Sequence, residues 1–196
     1  MGASKEQPFT IRDTIRDFMH SGKNDIRNDD CGSHELIADR RGMVLIEAVL
    51  PFHIEQIRSL FVEYAESLSF NLCFQSFDEE LRNLPGYYSA PNGRLLLAYY
   101  LDDPAGCIAL RPLQPGICEM KRLYVRPSAR GRGLGKILVQ RLIAEARAIG
   151  YERMRLDTIQ SDMADAIALY RKLGFREIEP YSKIPNESAL WMELLL

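Results

Sequence analysis

A chain of 196 residues with 46% hydrophobic side chains has the length of one compact domain plus an extension, and enough apolar material for a core. Its formal charge of −2 gives no global electrostatic reason to bind nucleic acid or acidic membranes, and no apolar run approaches the roughly 20 residues of a membrane span. Cys31, Cys73, Cys107 and Cys118 are scattered without a C-x-x-C pair, and His20, His34 and His53 do not cluster with them or with carboxylates. The pattern reads as reduced thiols in a cytoplasmic protein without a metal.

Residues 1–42 carry seven basic and eight acidic side chains and few large apolar ones, which predicts a polar N-terminal extension, partly disordered. Within it Ile11, Ile15, Phe18 and Met19 follow helical spacing after Thr10, a candidate N-cap, so a short helix is expected there. Residues 43–49 form a β-type apolar run. After Pro51, the side chains Ile54, Ile57, Leu60, Phe61, Tyr64 and Leu68 share one helical face. Residues 77–84 predict a second short helix, stopped by Pro85 and Gly86. Residues 94–101 and 107–113 read as strands around 102–106, where Asp, Pro and Gly signal a hairpin turn. Residues 118–125 give a fourth strand, ended by Pro127. A long helix follows and closes at Gly150, a suitable C′ residue, before a strand at 153–157. Residues 163–173 form the last helix, closed by Gly174, and 175–178 and 189–196 are closing strands. The order β-α-α-β-β-β-α-β-α-β-β predicts an α/β class (α+β mixed sheet) for residues 43–196, a central twisted mixed sheet flanked by helices.

Between the fourth strand and the long helix lies Arg130-Gly-Arg-Gly-Leu-Gly135. Glycines at 131, 133 and 135 let the backbone approach a ligand closely, and the helix behind them points unpaired N–H groups at it, a combination suited to phosphate. A Walker loop fails: Gly131 and Gly135 enclose three residues rather than four, and Ile137 follows Lys136. The dinucleotide pattern G-x-G-x-x-G fails too, because the spacing here is G-x-G-x-G. Lys121, Arg122, Arg126, Arg130, Arg132 and Lys136 crowd the segment with no acid among them. On a nucleic-acid reading this is a backbone-binding patch, but the glycine pattern at a helix start and the lack of interleaved aromatics beyond Tyr124 favour a compact phosphate ligand.

Arg130-x-x-Gly133-x-Gly135 resembles motif A of the GNAT superfamily of acyl-CoA-dependent N-acetyltransferases. The flanks agree: 118–125 reads CEMKRLYV upstream, and 168–175 reads ALYRKLGF, similar to motif B of the superfamily. The resemblance spans 43–196 and extends to FNLCFQSFDEEL, LPGYY and GRLLLA at 70–81, 84–88 and 93–98, as in small single-domain bacterial or fungal members. It implies that the backbone of Leu123, Tyr124 and Val125 pairs with the pantetheine arm. It also implies that Arg130, Gly131, Arg132, Gly133, Leu134, Gly135 and Lys136 hold the pyrophosphate of acetyl-CoA, a cosubstrate used without metal.

Acetyl transfer to an amine also needs a base and an acid. The resemblance places a base at Glu119, on the fourth strand, where the floor of a cleft can tune a carboxylate. The plainer reading pairs Glu119 with Lys121 or Arg122. Tyr170 in ALYRKLGF matches the tyrosine that protonates the coenzyme sulfur, although Met163, Ala166, Ile167, Tyr170 and Leu173 also make an ordinary core stripe. One departure is Gln160-Ser-Asp162 before motif B, where many relatives keep an Asn that touches the coenzyme arm. No Ser or Cys has a His at motif spacing, so direct attack in a ternary complex is expected rather than an acyl-enzyme.

The implied activity is N-acetyltransfer from acetyl-CoA to a primary amine of a small molecule or peptide. Phe74, Phe77, Glu80, Arg111 and Tyr181 are candidates for the acceptor side; Arg111 either meets a substrate carboxylate or forms a surface ion pair. A catalytically silent acyl-CoA sensor and a protein-interaction module using the extension are the alternatives. Nucleic acid and membrane are not expected partners, and a homodimer is left open.

Overall fold

The computed structural model describes residues 37–38, 42–48, 50–69, 76–184 and 186–196. The helix expected near Thr10, and Cys31, Cys73 and Phe74, lie outside them.

Eight strands form one mixed sheet: β1 (Ile37–Ala38), β2 (Met43–Glu47), β3 (Arg94–Tyr100), β4 (Asp103–Gln114), β5 (Ile117–Val125), β6 (Arg153–Ile159), β7 (Arg176–Ile178) and β8 (Ala189–Leu195). Their order is β1-β2-β3-β4-β5-β6-β8-β7. Every neighbouring pair is antiparallel except β5 and β6, which run parallel. The helices are α1 (Pro51–Glu66), α2 (Phe77–Arg82), α3 (Leu134–Ile149) and α4 (Ala164–Lys172). The seven strands expected from periodicity are all present, and β1 adds two residues of the expected extension to the edge of the sheet.

The helices form where their apolar spacing finds a sheet face. Pro51 starts α1 at a position where its missing N–H costs nothing, and Ile54, Ile57, Leu60 and Phe61 turn inward. In α3, Leu134, Leu138, Val139, Leu142, Ile143 and Ala146 are buried, and Gly150 ends the helix with φ 98°. Each fully buried Leu or Phe contributes about 1.5–3 kcal/mol of transfer free energy. The result is two apolar layers: α3 and α4 cover one face of the sheet, α1 covers part of the other.

The hairpin between β3 and β4 is tighter than 102–106. Leu101 and Asp102 make the turn, with φ 49° and 70°, and β4 begins at Asp103. Two central residues at positive φ suit the twist of antiparallel strands, so Pro104 and Gly106 lie inside β4 instead.

The feature that positions the site is a bulge. Cys107 pairs with Tyr124 and Ala109 with Lys121, so three steps on β5 face two on β4. Arg122, within the longer stretch, has φ 57°, a conformation that costs a non-glycine residue about 1–3 kcal/mol. A bulge bends its strand, and the β5–β6 pairing ends just before it: Ile117, Cys118 and Glu119 pair with Arg153, Met154 and Arg155, and no further rungs follow. Beyond Glu119 the two strands diverge into a V.

Candidate active site

At the mouth of the V, β5 passes through a short 3-10 turn, Pro127–Ala129, into the glycine turn. Gly131 and Gly133 have φ 74° and 84°, and a Cβ built on either would meet nothing within 4 Å. Their conformation excludes most side chains, and the space above them is open to a ligand. The first intrahelical bond of α3 runs from Ile137 N–H to Gly133 O. The N–H groups of Leu134, Gly135 and Lys136 precede it and stand at the positive end of the helix. The Leu134 side chain is buried in the core and fixes this turn from beneath. A helix end of positive polarity, an open glycine turn and a strand edge beyond the last β6 rung thus follow one another, a combination that suits an anionic ligand.

The basic residues of this segment do not converge on the turn. Arg126 grips Glu63 of α1 with Nε at 2.9 Å and Nη2 at 2.6 Å. Arg122 donates to both Glu80 oxygens, at 3.0 and 2.5 Å, beneath the Phe77 and Tyr64 rings. Burial disfavours the Arg122 charge, but Glu80 more than offsets it and raises its pKa. Lys121 binds Asp157 at 2.9 and 3.0 Å. Only Arg130, Arg132 and Lys136 stay near the glycines: Arg130 Nε donates to Val125 O, Arg132 lies over the Tyr100 ring at 4.5 Å, and Lys136 is exposed.

Glu119 occupies the apex of the V. Arg111 Nε donates to its Oε2 at 2.7 Å, with Nη2 at 2.6 Å, and the Tyr181 hydroxyl donates to its Oε1 at 3.0 Å. Its hydrogen-bonded cation is therefore Arg111, directly opposite on β4, while of the two expected partners Lys121 adds a longer ion pair and Arg122 does not reach it. Lys121 Nζ is 3.8 Å from Oε1, while Arg122 turns to Glu80. Tyr181 is held by Arg155, whose guanidinium lies 5.4 Å from the ring centroid. Burial drives the Tyr181 phenol far above its ordinary pKa, reinforced by the Glu119 charge, so it carries its proton at neutral pH.

Tyr170 comes from α4 on the opposite face, its ring packed against Phe175 at 5.7 Å. Burial raises its phenol too, with smaller contributions from Tyr64 and Asp157, groups on the Glu119 side of the sheet. Tyr64 itself is pushed up to about 12 by burial. Of the acceptor candidates, Arg111 and Tyr181 gather at Glu119, Glu80 is taken by Arg122 and Tyr88, and Phe77 packs on Arg122.

Sequence reasoning missed Tyr64, Asp157 and Arg155. A local signal existed for the last two, since alternate residues of β6 read Arg-x-Asp, but it acquires meaning only from the register that sets Glu119 beside Arg155. At the position of the departure before motif B, Asp162 accepts from Ser69 N–H and Oγ at 2.8 and 2.6 Å, tying the end of α1 to the loop after β6. Among the described residues, no group of three His, Cys, Asp or Glu could hold a metal ion, and no helix is long and apolar enough to cross a membrane.

Comparison with known proteins agrees with this fold. Residues 54–175 match the model of the Acetyltransferase (GNAT) family. An uncharacterized N-acetyltransferase of Schizosaccharomyces pombe is 40% identical over 154 residues, covering 77% of this chain and 94% of that protein. An acetyltransferase from Streptococcus agalactiae superposes with a TM-score of 0.64 at 24% identity, over 80% of this chain and 99% of the other. A GNAT acetyltransferase from Elizabethkingia anophelis, solved with acetyl-CoA bound, superposes at 0.56 with 19% identity, over 80% of this chain and all of that one.

Proposed function

Because the chain belongs to the GNAT acetyltransferase family and is an acyltransferase, we propose that it transfers an acetyl group from acetyl-CoA to a primary amine of a small molecule or peptide, by direct attack in a ternary complex. The observation that carries this reading is the alignment of three features along β5: the open glycine turn past its end, an edge beyond its last β6 partner, and Glu119 where that pairing stops. When bound, acetyl-CoA supplies a thioester carbonyl that an amine can attack.

The residues divide the remaining work. The main chain of Leu123, Tyr124 and Val125 orients the pantetheine arm as an added strand would, lowering the entropic cost of alignment. Residues 130–136 hold the diphosphate through backbone N–H groups and the positive end of α3, with Arg130, Arg132 and Lys136 near enough to add charge. Glu119 takes the proton from the amine, directly or through water, as the N–C bond forms and the C–S bond breaks. Tyr170 returns a proton to the departing sulfur; its raised phenol keeps that proton in place at neutral pH until the thiolate appears.

Calorimetric titration with acetyl-CoA, followed by a screen of amines for release of free thiol, tests the proposal. Saturable binding and amine-dependent release are expected. Binding without release from any amine would leave an acyl-CoA sensor, and no binding at all would remove the reading.

A further inference from the structure

The pairing registers place five charged residues in one row across the sheet: Arg111 on β4, Glu119 on β5, Arg155 on β6, Glu193 on β8 and Arg176 on β7. Signs alternate along it. Glu119 takes Arg111, and Glu193 takes Arg155 at 2.7 Å. The neighbouring acids are matched as well, Asp157 by Lys121 and Glu80 by Arg122. An acceptor with several ammonium groups, such as a polyamine or a lysine-rich peptide, would have to displace a resident cation from each of these acids.

Among the cations that surround Glu119, Arg111 is the most exposed. Its side chain is 36% exposed, against 6% for Lys121, 3% for Arg122 and 17% for Arg155, while the Glu119 carboxylate it holds is only 2% exposed. A guanidinium has five N–H donors in a planar fork, and Glu119 Oε2 engages Nε and Nη2, which leaves donor capacity on the accessible side for a second carboxylate. An ion pair presented this way complements a ligand carrying the opposite pair in reversed order. A free α-amino acid carries that pair, with carboxylate and amine on one carbon, so binding of the acid at Arg111 sets the amine beside Glu119 and the Tyr181 hydroxyl.

Resting on the transferase reading above, we propose that the acceptor is a free α-amino acid, its carboxylate held by Arg111 and its amine delivered to Glu119. Peptide N-termini and decarboxylated amines lack the adjacent carboxylate and leave the Arg111 fork unmatched.

The test is thiol release from acetyl-CoA with a panel of free L-amino acids, each compared with its methyl ester and its decarboxylated amine. The acid is expected to exceed both by about 10- to 100-fold in kcat/KM, the scale of a charge-assisted bidentate contact. In Arg111→Gln the ratio of acid to amine should fall toward one, mainly through KM for the acid, and Arg111→Lys should give an intermediate ratio. The wild-type comparison decides even where a variant fails to fold. Equal use of acid, ester and amine overturns this inference alone; absence of thiol release with every amine overturns the transferase reading and this inference with it.

Discussion

Beneath α3 and α4 the sheet presents Met120, Met154, Leu156, Met192 and Leu194 as a continuous apolar layer. The residues next to them in sequence, Glu119, Lys121, Arg155, Asp157 and Glu193, emerge on the other face as a field of paired charges. The strands are the same; only the alternation of side chains separates the two. Buried ion pairs of this kind contribute little net stability, because desolvation consumes most of their attraction. The apolar face therefore carries the fold, and it allows the opposite face to hold Glu119 and its neighbours in a fixed geometry without stabilising them further. Over β2–β4 the contrast disappears, since Leu60 and Phe61 of α1 form one apolar cluster with Leu97 and Tyr99 of β3. The paired charges lie on the stretch around the last β5–β6 rung at Glu119.

Substitution on each face should break this contrast in a different way. The largest effect is expected for Glu119→Gln, a loss of about 10²–10⁴ in kcat, typical of removing a general base, with a smaller change in Tm. If Glu119 only braces Arg111, the melting temperature would drop while the folded protein kept its turnover. On the apolar face, Leu138→Ala should cost about 2–5 kcal/mol of stability in urea titration and leave kcat per folded molecule unchanged. Loss of activity beyond the unfolded fraction would show that the two faces are coupled.

Gly133→Val sharpens the comparison at the end of β5. Its positive φ should cost about 1–2 kcal/mol, and calorimetry should show weakened acetyl-CoA binding because the new side chain enters open space above the turn. Gly150→Ala, at φ 98° with equally open surroundings, should show the stability cost without the binding loss. Equal acetyl-CoA affinity in the two variants would place the diphosphate elsewhere.

The smallest effect expected is in the acid limb of stability. Arg126 holds Glu63 below the usual 4.5; for Glu80, burial pushes upward but Arg122 outweighs it, and the pKa is again lowered. Both groups bind fewer protons folded than unfolded as pH falls through and below 4.5, so the stability they confer is complete above that value and drains as the pH drops through the lowered folded pKa values. Urea midpoints measured from pH 6 or so downward should decline on that side, and Leu138→Ala should lower the curve without altering its shape. A flat acid limb would mean that these pairs persist in the unfolded chain.

Much of the fold was legible because helices and strands announce themselves locally. The 3.6-residue spacing of Leu138, Leu142 and Ala146, and the glycines at 150 and 174 that stop helices, need no tertiary information. The hairpin was legible as a hairpin, but its turn lies at Leu101–Asp102 because pairing across β3 and β4 extends further than the Asp-Pro-Gly signal suggests. The glycine turn was readable for the same local reason. The main partner of Glu119 was not: Lys121, near in sequence, supplies only the longer ion pair, pairing across β4 brings in Arg111 at hydrogen-bond distance, and Arg122 at the bulge turns to Glu80.

The amino-acid sequence by itself determined which segments are helical or extended, and where a backbone able to cradle phosphate occurs, because these depend on spacing and on glycine conformations along a few residues. Tertiary structure alone decided where β5 leaves β6, which cations neutralise which acids, and that Tyr170 and Glu119 lie on opposite faces of one sheet. Those outcomes depend on strand register and on a bulge that only the neighbouring strand defines, and register is set by packing the whole sheet rather than by any one segment.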